Sequence, residues 1–122
     1  MNSSTTDSAL KEPTSFDTFL QLDIRVGTIL AASLPDWSEK LIELRVNFGP
    51  VIGERTIFAG LRRWYVPEDF IGKQSIFLVN LPPRKMGPGV SEGMIMAADA
   101  DDNQAPSVLL FESLAPDGAC LH

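Results

Sequence analysis

The chain has 122 residues, a formal net charge of −6 and a pI of about 4.6. This length fits one domain and excludes two substantial ones, and the acidic balance argues against a general nucleic-acid binder. The charge is unevenly distributed: residues 99–122 hold five acidic groups and no Lys or Arg, whereas residues 62–85 hold five basic groups against two acidic ones. The middle of the chain therefore carries a local positive excess, which is either a basic surface or chance scatter in a short sequence.

The sequence has no basic leader followed by an apolar run and no stretch near the roughly 18 apolar residues that a membrane span needs. We therefore expect a cytoplasmic protein without membrane contact. Residues 1–15 contain only three apolar side chains, which predicts a disordered tail before a domain over residues 16–122. Cys120 is the single cysteine, which excludes an internal disulfide and a cysteine-based zinc site, and we expect it to be packed. Because His122 is the only histidine, histidine-based catalysis and metal binding have no support. The stretch GPGVSEG lacks the Lys-Ser/Thr of a P-loop, and the aspartates at 99–102 lack the glycine and distal Glu of an EF-hand, so we expect no catalytic residue, no metal site and no cofactor.

The predicted elements begin with one helical turn. Residues 16–20 place three apolar side chains at helical spacing after Ser15, a typical N-cap residue, and we expect this turn to cover one end of a barrel. Residues 22–29 then alternate apolar and polar side chains up to Gly27, which predicts a strand with one buried face. Gly27 within that strand indicates a bulge or a bend.

The middle and the end of the chain predict further short strands. In chain order the pattern predicts a loop over 34–38, strands over 40–48 and 55–59 joined in hairpin style by 49–53, a helix of one or two turns within 65–73, strands over 74–81 and 91–98, a polar loop over 99–105, a short strand over 108–112 and a turn over 116–118. Five or more short strands without βαβ spacing predict an all-β barrel.

The connection over residues 80–98 carries the strongest functional signal. The prolines at 82–83 end the preceding strand, and the Gly-Pro-Gly stretch at 87–89 holds the following loop open. Arg84 and Lys85 stand on that loop, where Arg engages a phosphate bidentately and Lys acts as a point charge. This pair predicts a phosphate contact.

Two polar residues follow where the chain re-enters the sheet. Ser91 offers a hydroxyl donor to a phosphate. Glu92 would repel a phosphate, so we interpret it as orienting Arg84 or Lys85, or as accepting from backbone N–H groups.

Several ordered blocks together resemble one known family. The blocks are LDIRVGTI (22–29), EKL (39–41), AGL (59–61), Tyr65 with PEDFIGK (67–73), and NLPPRKM followed by SEGM within 80–94. They are similar to the tRNA-binding domain that is appended to methionyl-tRNA synthetases and is found free-standing in bacteria, a domain that CsaA-type secretion chaperones share. The resemblance implies a five-stranded OB-fold barrel with short N-terminal and inter-strand helices. It also implies a homodimer that binds the outer corner of tRNA without reading an anticodon.

The resemblance also implies site residues. The binding loop of the family corresponds here to Arg84, Lys85, Met86, Ser91 and Glu92, with Lys40 at the start of the second strand and Asn80 at the end of the fourth. The synthetase-type pattern has another basic residue after the methionine, where this chain has Gly87, and the sequence GPGV leans toward the CsaA-type form.

The OB-fold adds two cations to this set. Such a barrel presents its second and third strands, with the loops at 34–39 and 82–90, as a binding surface. Arg45 and Arg55 lie on those strands and are therefore candidates as well, subject to the strand alternation. Trp37 in the first loop either stacks on an unpaired base or packs over the end of the core or in a dimer contact.

Two other clusters have competing interpretations. Residues 62–65 (Arg-Arg-Trp-Tyr) form either a basic-aromatic nucleic-acid patch or a packed Tyr65 flanked by two solvated arginines. Met94 and Met96 share one face of a strand, which favours core positions over the adaptable peptide-binding surface that methionines also build.

Two functions remain open at this point. The first is non-catalytic binding of tRNA or structured RNA by a homodimer. The alternative is a CsaA-like chaperone that binds unfolded or presequence-bearing polypeptides for export in apolar pockets of the dimer. The acidic net charge, Met86 and the GPGV loop favour the alternative.

Overall fold

The structure is a computed structural model that describes residues 9–101 and 103–122. The first eight residues of the predicted 1–15 tail lie outside the described residues, as does Asp102 of the predicted polar loop. Residues 9–14 are exposed and belong to no helix or strand. The division into a tail and a domain at residue 16 stays a prediction. In the described part of the chain, no helix is long and apolar enough to cross a membrane.

The described residues form short strands and three very short helices. In chain order they are α1 (Phe16–Phe19), β1 (Ile24–Ser33), β2 (Ile42–Asn47), α2 (Gly49–Ile52), β3 (Glu54–Ala59), a 3-10 helix (Pro67–Asp69), β4 (Gln74–Leu78), β5 (Arg84–Met86), β6 (Gly89–Ser91), β7 (Met94–Ile95), β8 (Ala97–Ala98) and β9 (Ser107–Val108).

Five antiparallel strands make the main sheet, in the order β3-β2-β1-β4-β7. The sheet curls until β3 meets the segment just before β7. There Glu92 N–H donates to Thr56 O at 2.9 Å, Thr56 N–H donates to Glu92 Oε1 at 3.0 Å, and Phe58 N–H donates to Ser91 Oγ at 3.0 Å. These bonds nearly close a five-stranded barrel, which confirms the predicted all-β OB-fold.

The core fills the inside of this barrel with the inward residues of each strand. Leu44 of β2 lies opposite Ile57 of β3, and both are fully buried. Phe48 and Phe77 meet edge to face across the barrel at 5.3 Å between ring centroids. Each such side chain contributes about 1.5–3 kcal/mol through burial. This packed interior makes the barrel a rigid support for whatever its outside carries.

The bulge in β1 lies after the position that the sequence indicated. The register between β1 and β2 shifts between Ile29 and Ala31, not at Gly27. Gly27 is buried, and a Cβ there would lie 2.5 Å from Val46 Cγ1 and 2.8 Å from the ring of Phe48. The glycine is therefore required by close packing rather than by a bend.

The C-terminal segment folds back onto the barrel through backbone bonds. Val26 N–H donates to Ala119 O at 2.9 Å, Gly118 N–H to Val26 O at 2.8 Å, and Leu121 N–H to Ile24 O at 2.8 Å. Cys120 lies in this segment and is exposed, so the expectation that it is packed was wrong. Its backbone bridges to Arg25 while its side chain faces outward.

Asp117 fastens the same segment with its side chain. Its carboxylate accepts from Thr28 Oγ1 at 2.5 Å, from Gln74 Nε2 at 3.2 Å and from Asn47 Nδ2 at 3.3 Å. One carboxylate thus joins the C-terminal turn to β1, β4 and the end of β2.

Several element boundaries differ from the sequence-based expectations. The first strand runs over 24–33, the helix expected within 65–73 is one 3-10 turn, and the last strand shrinks to 107–108. The single strand expected over 91–98 is divided among β6, β7 and β8. The N-terminal turn forms with Ser15 Oγ accepting from Thr18 N–H at 3.1 Å. Its apolar side chains do not cover the barrel, because Phe16 is 69% exposed.

Candidate functional site

The segment with the two cations is a β-hairpin, not the open loop that the sequence indicated. Strands β5 and β6 pair antiparallel, with Arg84 opposite Ser91 and Lys85 opposite Val90. The turn consists of Gly87 and Pro88, and Gly87 supplies a φ of +54° that other residues rarely adopt. The prolines at 82–83 precede the hairpin outside any strand. The two cations therefore stand on paired, regular backbone.

Trp37 and Phe58 support the hairpin from below. Their rings meet edge to face at 5.3 Å between centroids. A Cβ on Gly87 would lie 2.6 Å from Trp37 Cε3, and a Cβ on Gly89 would lie 2.5 Å from Phe58 Cζ. The hairpin backbone thus rests directly on the two rings, which supports packing rather than stacking as the role of Trp37.

The position of Phe58 shows why sequence reasoning did not place it at the site. Its neighbour Ile57 points into the core, so Phe58 points to the outer face of β3. Phe58 is nevertheless only 7% exposed, because the hairpin and Trp37 cover it. The sequence did carry a signal: Ile57 and Phe58 are adjacent apolar residues of one strand and point to opposite faces, so one of them must be covered from outside the barrel.

Three of the five predicted cations are available to a ligand. Arg84, Lys85 and Lys40 are exposed, and no described carboxylate lies within ion-pair distance of them. Arg84 and Lys85 both border a groove beside the hairpin. Lys40 stands just before β2, in the loop that contains Trp37.

Arg45 and Arg55 lie on opposite faces of the sheet. In the register of β2 with β3, Arg45 pairs with Thr56 and Val46 pairs with Arg55. Arg45 therefore lies on the outer face of the sheet together with Thr56. There its Nε forms an exposed ion pair with Oε1 of Glu54 at 2.7 Å. Arg55 lies on the face of the buried Val46, and its guanidinium donates to the carbonyls of Val79 at 2.7 Å and Glu92 at 3.1 Å. The structure does not bring all five cations to one surface.

The predicted polar residues hold the framework together. Asn80 Oδ1 accepts from Asp23 N–H at 2.9 Å, and Asn80 Nδ2 donates to Gln21 O at 2.7 Å. Ser91 is buried, and its hydroxyl accepts from Phe58 N–H and donates to Gly93 O. The interpretation that Glu92 accepts from backbone N–H groups is confirmed by its bond from Thr56.

A groove of about 550 Å³ runs along the hairpin. We call it the hairpin groove, and its apolar lining consists of Phe58, Leu81, Pro82, Pro83, Met86 and Met94. Met94 is 45% exposed, so the expectation that it belongs to the core was wrong. The buried residue of β7 is instead Ile95, because neighbouring strand residues point to opposite faces.

The basic-aromatic cluster at 62–65 is mostly structural. The Arg62 guanidinium donates to Pro35 O at 2.9 Å and to Ser38 O, so Arg62 anchors the Trp37 loop and is not solvated as expected. Tyr65 packs as expected, with its ring edge to face with Phe70 at 5.6 Å and its hydroxyl donating to Pro106 O. Arg63 remains exposed. The cluster therefore stabilises the loop at 34–39 and does not form the basic-aromatic nucleic-acid patch.

A family model described as a putative tRNA binding domain matches residues 24–119. The chain belongs to this tRNA-binding domain family. The match covers the whole barrel with the hairpin and the groove, so the resemblance seen in the sequence blocks is confirmed.

Curated relatives of this tRNA-binding domain include methionine–tRNA ligases. The chain is 40% identical over 107 residues to that of Porphyromonas gingivalis, a match covering 88% of the chain and 15% of the ligase. It is 42% identical over 107 residues to that of Parabacteroides distasonis, covering 88% and 16%. The chain thus spans about 15% of the length of the curated relatives it matches.

Solved structures of similar size share the fold of this tRNA-binding domain. A MetRS-related protein from Pyrococcus horikoshii superposes with a TM-score of 0.84 at 32% identity, covering 92% of this chain and all of the other. The chaperone CsaA from Bacillus anthracis superposes with a TM-score of 0.82 at 28% identity, covering 91% and all of the other.

Proposed function

We propose that this domain binds tRNA or another structured RNA through the hairpin β5–β6, without catalysing a reaction. The observation that carries the proposal is the pair Arg84 and Lys85, exposed and free of described carboxylate partners on a hairpin that two aromatic rings hold in place. Membership of the tRNA-binding domain family supports RNA as the ligand.

Charge explains why such a small site suits RNA. Phosphate contacts from arginine and lysine supply most of the sequence-independent affinity for a nucleic acid. Residues 99–122 carry five acidic groups and no Lys or Arg, so the positive charge that would attract phosphates is concentrated in the middle of the chain. We propose that Arg84, Lys85 and Met86 contact the RNA with Lys40 nearby. Asn80, Ser91, Glu92 and Arg55 then act indirectly, through the bonds that hold the barrel.

A homodimer would double the few phosphate contacts of one domain, and we propose that the exposed apolar face at the N-terminus forms it. On this face Phe19 is 37% exposed, Leu20 55% and Leu22 48%. Leu20 and Leu22 line one concavity with Leu121 of the C-terminal segment. Apolar side chains gathered at one surface in this way are typical of a protein contact.

The proposed dimer predicts that charged substitutions on this face lower the mass of the protein in solution. Leu20→Asp with Leu22→Asp should convert a species of twice the 13.3 kDa chain mass into a monomer, because two buried charges per protomer would be unpaired in the contact. Sedimentation velocity measures this. Val51→Asp with Ile71→Asp adds the same charge at other exposed apolar positions and should leave the dimer intact. A wild-type chain that sediments as a monomer at all concentrations would contradict the proposal.

Salt dependence tests the proposed function. Folded tRNA and an unfolded presequence peptide should be titrated side by side at about 50 and 300 mM salt. We expect tRNA to bind with a slope of log affinity against log salt between about −2 and −5, because few phosphates are neutralised. No binding of tRNA at the lower salt would refute the function.

The chaperone remains the second candidate, supported by the likeness to CsaA and by the apolar hairpin groove. It predicts that the unfolded peptide binds and stays bound at the higher salt, since apolar burial is not screened by ions. Absence of peptide binding at both salt concentrations would rule it out.

A further inference from the structure

We propose that the hairpin groove receives a single unstacked nucleobase, so that the domain distinguishes unpaired from paired nucleotides. This inference rests on the proposed RNA function. In this arrangement the base occupies the groove, and the phosphates of the RNA contact Arg84 and Lys85.

The shape and lining of the groove suit the flat, weakly polar face of a base. Phe58 lies at the bottom of the groove, where Trp37 and the hairpin cover most of it, so its ring sets the depth of the groove. The exposed side chains of Leu81 and Met94 and the rings of Pro82 and Pro83 supply the accessible apolar lining. Bases taken out of the stack are commonly held between aromatic or apolar side chains of this kind.

Charge favours a nucleotide over a polypeptide in this position. Arg84 and Lys85 are the charged residues that line the groove, and the nearby Glu92 is bonded to Thr56 N–H. A presequence combines its apolar run with a basic segment, which these two cations would repel. A nucleotide instead joins an apolar face to a negative phosphate, which matches an apolar groove with cations along it.

The groove should be indifferent to the identity of the base. Ser91 is the one uncharged polar side chain lining it, and its hydroxyl already accepts from Phe58 N–H and donates to Gly93 O. No described side chain other than the two phosphate-directed cations is therefore free to read the hydrogen-bonding edge of a base. Stacking alone discriminates little among bases.

A blunt RNA duplex and the same duplex with a short single-stranded overhang test this. The overhang should raise the affinity of the wild-type protein about tenfold at about 50 mM salt, with adenine, cytosine and uracil overhangs alike within about threefold. Leu81→Ala with Met94→Ala should remove most of this gain and bind the blunt duplex as wild type does. Met94→Gln, which keeps the side-chain length, should remove part of it.

Two controls separate the groove from the cations. Leu30→Ala with Met96→Ala removes similar apolar side chains outside the groove and should keep the full overhang effect. Arg84→Ala with Lys85→Ala should weaken binding of both duplexes together.

The two proposals fail in different ways. If both duplexes bind the wild-type protein equally, or if the groove variant keeps the overhang effect, the nucleobase assignment is refuted while RNA binding stands. A groove variant that loses an unfolded peptide but no RNA would make the groove a polypeptide site. If the wild-type protein binds neither duplex nor folded tRNA, the proposed function itself fails.

Discussion

Replacing Arg84 and Lys85 together by alanine is expected to lower the affinity for folded tRNA by tenfold or more. Both side chains are exposed on the hairpin and have no described carboxylate within ion-pair distance, so their charge is available to phosphates. A hydrogen bond to a charged group contributes about 1.5–3 kcal/mol, and tenfold in affinity corresponds to about 1.4 kcal/mol. Fluorescence anisotropy of labelled tRNA at about 50 mM salt measures the change.

A charge-matched variant separates a local contact from the overall field. Lys11→Ala with Lys73→Ala removes the same two positive charges from exposed positions outside the hairpin. We expect it to change the affinity by less than about threefold, since these two charges lie outside the hairpin and act on the RNA only through the salt-screened long-range field. Equal losses in the two double variants would show that net charge, not the hairpin, governs binding.

The variant Asp117→Ala is expected to lower the free energy of unfolding by about 2–3 kcal/mol. The carboxylate accepts from side chains on three separate parts of the barrel, and these are Thr28, Gln74 and Asn47. Removing it leaves these partly buried donors without their charged acceptor and releases the C-terminal turn. For a domain of this size the melting temperature should fall by about 10–15 °C, which calorimetry measures.

Two comparison variants make the Asp117 result specific. Asp117→Asn keeps one acceptor oxygen and should lose about half as much stability. Asp36→Ala removes an exposed carboxylate from the Trp37 loop and should change the free energy of unfolding by less than about 0.5 kcal/mol. A melting temperature of Asp117→Ala within 2 °C of wild type, taken as roughly the resolution needed to detect 0.5 kcal/mol, would contradict the anchoring role.

The barrel was predictable because its signals are local. Alternation from Leu44 to Phe48 places Leu44 inside before any contact is known, and β2 forms there with β3 as its expected hairpin partner. The sequence blocks around 22–29 and 80–94 also carried enough of the pattern to identify the family. Local periodicity specifies which face of each strand is buried. Five strands with one buried face each can close into a barrel in only a few arrangements.

The site was less predictable because it depends on register and on long-range packing. A one-residue step in the pairing of β2 with β3 separates Arg45 from Arg55, which the composition of the strands alone does not show. The hairpin groove needs Phe58, Met86 and Met94, which come from three different strands, β3, β5 and β7. Only the folded barrel brings these side chains together, so the sequence indicated the cations but not the surface beside them.

The close contact between Gly87 and Trp37 makes the residue allowed at one of these positions depend on the residue at the other. Gly87 is where a synthetase-type sequence would carry a further cation, and any side chain there would collide with the indole ring. A lone mutation to lysine would therefore displace the ring that supports Phe58 rather than simply add a charge. A lineage that exchanges this glycine for a cation must also shrink or reorient residue 37, so the two sites are expected to covary.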